Sequence, residues 1–530
     1  MKKLNSLIKD LALVLLAIAI PGINSCSNGE TVSNGTGSDI SLEYTISVTD
    51  SSSDVYHIEL DCGGIREDTI SFMLPRWMPG YYQIMDYAEG VAGFSARDRN
   101  GHELEVITPD HSTWQVIAGK GKRIRVNYDV TAGRRFVANN FLDSTHAYIV
   151  PAATFMYADG YTESPVSLKV IVRSGWHDIA TGLDSVPGMS DEFTAPDFDI
   201  LYDSPLLIGN LEQLPSFYVD GIEHRFTAYK PGDFNRDNFI SGLKSVVEAA
   251  VGIIGEIPYE RYTFIGIGPG AGGIEHLNNT TISFDGSRLD NRNSYNGMMS
   301  FLAHEYFHHY NVKRIRPFEL GPFDYSRENR TNLLWVAEGL TVYFDHLIIR
   351  RAGIIDEDEL LAKFSTKIEA TENSPGRKLQ SLIQASYSTW SDGPFGNQGP
   401  NAGRSISVYE KGPVAGLILD LTIRNATANK KSLDDVMRLL YHRYYKYLDR
   451  GFTDAEFQQA CESVAGIPLT SEFEYVSTTG YIDYNRYLKY AGLNLILEKD
   501  PVNGRIRATI SREEEITPLQ EEILQSWQGV

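Results

Sequence analysis

Two hydrophobic periods divide the chain. From about Ser41 to Tyr218, runs such as Leu42-Glu43-Tyr44-Thr45-Ile46-Ser47-Val48, Tyr56-His57-Ile58-Glu59-Leu60 and Arg123-Ile124-Arg125-Val126-Asn127-Tyr128 alternate around Gly, Asp and Asn turns. A period of two sends neighbouring side chains to opposite faces, so an antiparallel β-sandwich-like domain is predicted over 41–218. From about Asp233 the apolar spacing becomes three and four, which predicts helices over Phe239–Ile254, Met298–Val312, Asn332–Arg351, Val408–Ile423 and Leu433–Tyr447. Ser432 and Asp435 read as a capping box for the last of these. A stretch rich in Gly, Ser, Pro and Asn from Ser374 to Arg404 separates helices and is expected to rim a site.

The amino terminus follows neither pattern. Lys2, Lys3 and Lys9 precede an apolar run from Leu11 to Ile20, too short for a bilayer span of about 20 residues but suited to a signal peptide. Ile23-Asn24-Ser25-Cys26 and the polar stretch after it look like a bacterial lipobox and tether. Residues 1–25 are therefore expected to be a lipoprotein signal peptide, Cys26 the site of lipid attachment and 26–40 a flexible tether, which puts the protein in the bacterial cell envelope, held to a membrane by its lipid anchor. Ordinary secretory cleavage and an uncleaved helix are the alternatives. Cys62 and Cys461 cannot make a disulfide framework and are expected as buried free thiols, with a single bridge between them as the alternative.

The 530 residues, 42% apolar and 22% charged, suit a multidomain globular protein. A net charge of -21 repels a phosphate backbone and excludes nucleic acid as a partner.

Candidate chemistry lies in the second half. His304-Glu305-Tyr306-Phe307-His308 in a helix sets two imidazoles one turn apart, able to share a Zn2+ ion, with Glu305 beside the open position as general base. Two surface histidines on a helix are the bland reading. In Leu333-Leu334-Trp335-Val336-Ala337-Glu338-Gly339, Glu338 stands alone among apolar residues, where an unpaired charge is costly; a metal would relieve the cost, as would a nearby Arg. Glu328 and Asp345, in polar surroundings, are less suitable ligands. Gly272 and Gly273 offer bare backbone to an extended substrate, and Glu275 could grip a protonated amine, although a plain bulge with a solvated acid would look the same. Tyr409, at a helix start, could donate to an oxyanion.

In their order, Gly-Gly-Ile-Glu-His, His-Glu-Tyr-Phe-His, Trp-Val-Ala-Glu-Gly and Tyr-Glu-Lys-Gly resemble the glycyl aminopeptidase family of gluzincin zinc metallopeptidases, distant relatives of aminopeptidase N. Asn311-Val312-Lys313-Arg314-Ile315-Arg316-Pro317, Leu320-Gly321-Pro322-Phe323-Asp324-Tyr325 and Leu74-Pro75-Arg76-Trp77-Met78-Pro79-Gly80-Tyr81-Tyr82 are similar to that family too. The resemblance implies zinc on His304, His308 and Glu338, Glu305 as general base, Glu275 at the substrate amine and Tyr409 at the oxyanion. It further implies a multidomain α+β fold: a thermolysin-like zinc catalytic domain, placed at 219–353, behind the β domain, then an α-helical domain, placed at 354–496; residues 497–530 are expected to be a C-terminal tail. Ile84-Met85-Asp86-Tyr87 departs from the relatives in lacking an arginine, and about 35 residues after Ile496 are too few for the PDZ domain many of them carry. The expected activity is a zinc-dependent aminopeptidase acting on peptides with a free N-terminus, with small first residues such as Gly or Ala. A zinc endopeptidase and a catalytically silent, lipid-anchored binding protein are the competing readings.

Overall fold

A computed structural model describes residues 40–48, 54–133 and 135–530. The expected signal peptide, Cys26 and nearly all of the expected tether lie outside the described residues.

The alternating runs form a seven-stranded sheet in the order Asp184–Ser185, Glu192–Ala195, Val166–Val172, Ser41–Val48, Val55–Gly63, Ile124–Thr131, Val91–Asp98. Tyr44 lies opposite Leu60 and Ile46 opposite Ile58, so the apolar set of each strand enters the same core. One pair departs from the antiparallel expectation: Ser41–Val48 runs parallel to Val166–Val172. Parallel neighbours require a long crossover, and here it carries the strands from Val55–Gly63 to Tyr157–Ala158. Two four-stranded sheets complete that half. Cys62 and Cys461 are buried free thiols.

Behind it stands a six-stranded sheet that includes Ile222–Ala228, Arg261–Gly266 and Asn279–Ile282, mutually parallel, with Gly273–Glu275 antiparallel at the edge. The helices Arg236–Ile254, Arg292–Phe307 and Leu340–Arg351 pack on one another beside this sheet. Asn235 caps the first by accepting from the Asn238 amide, and Gly255, at φ 95°, ends it. The expected capping box is present, Asp435 accepting from the Ser432 amide at 3.0 Å.

One hydrophobic core runs from Leu214 to Trp527, so the catalytic and helical segments share an interior. The stretch 497–530, expected as a tail, belongs to it. Leu493–Lys499 and Ile506–Arg512 form a hairpin against the Glu357–Asn373 helix. The Pro518–Gln528 helix buries Trp527, whose Nε1 donates to the Tyr343 hydroxyl at 2.9 Å. Neither piece is long enough to bury a face alone, which is why the sequence pattern missed them. Trp527→Ala should cost about 3–5 kcal/mol of stability, read by denaturant unfolding; a loss below about 1 kcal/mol would return the segment to the status of a tail.

Candidate active site

The Arg292–Phe307 helix starts at Asn291, whose side chain accepts from the Ser294 amide. It begins earlier and stops sooner than the predicted Met298–Val312. Arg314 explains the stop: its buried guanidinium donates to the carbonyls of His309 and Leu277, drawing the chain into a turn. His308, the C-cap, still has helical dihedrals, so the two imidazoles stay one turn apart. Trp335–Gly339 is a single π-helical turn leading into Leu340–Arg351, a local irregularity frequent at functional sites. Glu338 points from that turn toward the imidazoles.

The three groups converge. His304 Nε2 and His308 Nε2 are 3.0 Å apart, and Glu338 Oε2 lies 3.7 Å from the first and 3.3 Å from the second. Tetrahedral zinc with ligand bonds of about 2.0–2.1 Å has ligand-to-ligand edges of about 3.3 Å, and the observed edges bracket that value. The donor set, two neutral nitrogens and one carboxylate, also leaves a fourth position open. The residues therefore fit zinc. The electrostatics agree: burial disfavours a protonated His304, yet Asp345 and Glu338 drive its pKa up to about 10. Burial also acts to raise Glu338, but His308 and His304 outweigh it and hold the carboxyl well below the usual range. This pocket is made to hold positive charge.

The remaining candidates gather around the triad. Glu305 is buried, Oε2 has no hydrogen-bond partner, and burial pushes its carboxyl up to about 7 against the opposing pull of His304 and His308. It lies over Gly273, where a Cβ would come within 2.6 Å of Oε1, so any side chain there would push the Glu305 carboxylate aside. Glu275 closes the edge strand, 4% exposed, with Oε1 unpartnered. Tyr409 opens the Val408–Ala426 helix, its ring centroid 6.2 Å from that of His304. What brings Tyr409 so near is a glycine crossing: a Cβ on Gly339 would meet the Gly412 Cα at 2.6 Å, and the reverse contact is the same. Gly272, Gly273, Glu275, His304, Glu305, His308, Glu338 and Tyr409 all line one cleft of about 550 Å³. Pro394 and Phe395, from the glycine- and serine-rich loop, rim it as expected.

Three contributors escaped sequence reasoning. Asp345, set aside as a ligand, stands behind one: its Oδ2 is 3.3 Å from His304 Nδ1, while Oδ1 accepts from Ser300 Oγ at 2.9 Å. Asp345 follows Glu338 by seven residues, two turns along the same helical face, and that spacing was the available signal. Asn311 orients the other imidazole: His308 Nδ1 is 2.7 Å from its carbonyl, and its amide donates to Val336 O and Thr341 Oγ1. Tyr82, from the β-rich half, is buried in the cleft with Glu338 and Glu275 raising its pKa beyond the effect of burial. No spacing could have tied it to a helix more than 200 residues away. Beside it, a Cβ on Gly80 (φ 90°) would meet Glu275 Oε2 at 2.8 Å. The departure at Met85 leaves Asp86 to pair with Arg76, Nη2 to Oδ1 2.8 Å.

Comparison with known proteins matches two descriptions of one family, the peptidase M61 N-terminal domain over residues 43–210 and M61 glycyl aminopeptidase over 297–415, together more than half of the chain. The chain belongs to the M61 glycyl aminopeptidase family. A solved structure of an aminopeptidase N family protein from Idiomarina loihiensis is 27% identical, with a TM-score of 0.82 over 88% of this chain and 81% of that one. A mutant M1 zinc metallopeptidase from Deinococcus radiodurans bound to a Tyr-Ser-Ala substrate is 12% identical, with a TM-score of 0.52 over 84% and 96%. A second M1 zinc metallopeptidase mutant, bound to L-tryptophan, is 13% identical with a TM-score of 0.51 over the same shares. These two share the fold. No curated protein sequence matches. As an M61 member the chain is a peptidase of the aminopeptidase class, and the fold class read from its sequence holds.

Asp345 should tune metal affinity through His304. Asp345→Asn is expected to weaken zinc binding about 10–100-fold, measured by competition with a chromophoric chelator. An affinity within twofold of the unsubstituted protein would deny Asp345 that role.

Proposed function

We propose that the protein removes the N-terminal residue, preferably glycine or alanine, from peptides whose amine is free. The observation that carries this reading is the Glu275 oxygen, buried without a partner on the edge strand of the sheet that lines the cleft. Such an oxygen is costly unless a cation meets it, and a substrate ammonium is a cation that arrives with the peptide. The Gly273–Glu275 edge offers ladder positions to an extended chain, which would lie as an added strand with its amine at Glu275. Gly80 against Glu275 limits the room around the first side chain, which favours a small one.

His304, His308 and Glu338 would hold the zinc. When bound, zinc supplies Lewis-acid polarisation of the scissile carbonyl and makes water nucleophilic near neutral pH. Glu305 takes the proton from the attacking water and returns it to the departing amine. Tyr409 donates a hydrogen bond to the carbonyl oxygen as charge develops on it. Gly273 leaves the space in which the Glu305 carboxylate swings between these two partners. From Ile23-Asn24-Ser25-Cys26 we also infer lipidation of Cys26, which would hold the enzyme at a bacterial membrane.

Glu305→Gln should retain zinc by elemental analysis while kcat falls about 10²–10⁴-fold; undiminished turnover would remove Glu305 as the base. A free peptide should be shortened from its amino end while the N-acetylated form resists. Equal cleavage of the two, or cuts at internal bonds, would favour an endopeptidase instead. Cys26→Ala should abolish incorporation of labelled fatty acid, and continued labelling would refute the anchor.

A further inference from the structure

The cleft holds many acids and two cations that the mechanism does not use. Lys363 and Lys367 stand one turn apart on the Glu357–Asn373 helix, and both line the cleft. Lys367 has a partner, its Nζ lying 3.3 Å from Glu410 Oε1. Lys363 differs: it is half-buried, and no carboxylate of the described residues lies within 4.0 Å of it. Its one hydrogen bond runs from Nζ to Ser300 Oγ at 3.2 Å. Ser300 spends its own proton on Asp345, which is engaged in turn by His304 and His346. Asp345 is therefore already committed, and among the described residues the Lys363 ammonium has Ser300 as its one hydrogen-bond partner, which leaves protons free to donate.

Position gives this cation a meaning. Lys363 reaches the catalytic helix at Ser300, one turn before His304, on the wall made by the helical half. Glu275 belongs to the other wall, the sheet edge against Gly80 and Gly273. A peptide whose ammonium meets Glu275 and whose first carbonyl lies at the triad continues past the triad on the leaving-group side. Across much of the cleft Glu275, Glu305, Glu338, Asp345 and Glu410 repel an anion. At Lys363 an anion would find an ammonium with no ion pair among the described residues; burial pulls its pKa down, Asp345 and Glu359 opposing that effect and Lys367 adding to it, and an arriving carboxylate would push it back up.

We propose that Lys363, supported by Lys367, is the binding site for a carboxylate carried by the leaving portion of the substrate. This rests on the aminopeptidase reading and deepens it. The substrates would be short peptides whose C-terminal carboxylate falls just beyond the scissile bond, or peptides with an acidic residue after it. Either source presents the same group to the ammonium, by a charge-assisted hydrogen bond.

The test compares kcat/KM for alanyl-alanine as the free acid, alanyl-alanine amide and alanyl-aspartate amide, with alanine 4-nitroanilide as a reporter of aminopeptidase activity. One or both acidic substrates should exceed alanyl-alanine amide by about 10-fold or more, mainly through KM. A preferred free acid identifies the peptide terminus as the source, and a preferred aspartate amide identifies the side chain. Lys363→Met should bring the ratio to about one, and Lys363→Arg should keep it above that. Equal rates for all three dipeptides, or a preference that survives Lys363→Met, would overturn the proposal. If the reporter is not cleaved, the aminopeptidase reading itself fails. Calorimetric binding of the acid and the amide to zinc-loaded Glu305→Gln then still reads Lys363: equal affinities overturn the site, and tighter binding of the acid that is lost on Lys363→Met upholds it.

Discussion

The structure is organised around the cost of burying Glu338. A carboxylate 3% exposed inside an apolar helical turn is stable only where positive charge or its equivalent is fixed beside it. Here two imidazoles supply the partners, and each is oriented from behind by a group that takes its other nitrogen: Asp345 for His304, the Asn311 carbonyl for His308. Such outer contacts select the ring face and tautomer that leave both Nε2 atoms aimed at one point. The π turn sets Glu338 at that point, and the Gly339–Gly412 crossing lets a neighbouring helix approach closely enough for Tyr409 to join.

A second constraint joins the two halves of the molecule. Asp203, from the β-rich half, pairs with Lys313 Nζ at 2.6 Å and meets His276 Nδ1 at 3.1 Å and the Leu277 amide at 2.5 Å. Burial raises its pKa, but Lys313 and His276 outweigh that effect and hold the carboxyl charged. Lys313 lies just beyond the metal-site helix and Leu277 just beyond Glu275, so one carboxylate ties the imidazole wall of the cleft to the strand-edge wall. Trp77 adds an apolar weld, its ring centroid 5.1 Å from that of Trp390 and its Nε1 donating to the Asp324 carbonyl. Gly80 and Tyr82, next to this weld, are thereby carried against Glu275 and into the cleft.

How much of this was legible follows from where the information sits. The alternating strands and the major helices could be read because their periodicity is local, and the capping box at Ser432 because it spans three residues. The ends of the metal-site helix could not, because Arg314 stops it with bonds to distant carbonyls. The hairpin and helix beyond residue 496 escaped for a related reason: their apolar faces acquire meaning only from the surface on which they dock.

By itself the sequence determined the types of residue for the chemistry and their local geometry: two imidazoles a turn apart, an acid between them, a lone carboxylate in an apolar run, a tyrosine at a helix start. Short-range spacing suffices there, since helical pitch converts it directly into position. Only the tertiary structure decided which acid stands behind His304, that a tyrosine and a glycine of the β-rich half complete the cleft, and that Lys363 faces it without an ion pair. Those relations join residues far apart in the chain, and the packing that creates them leaves no periodic trace.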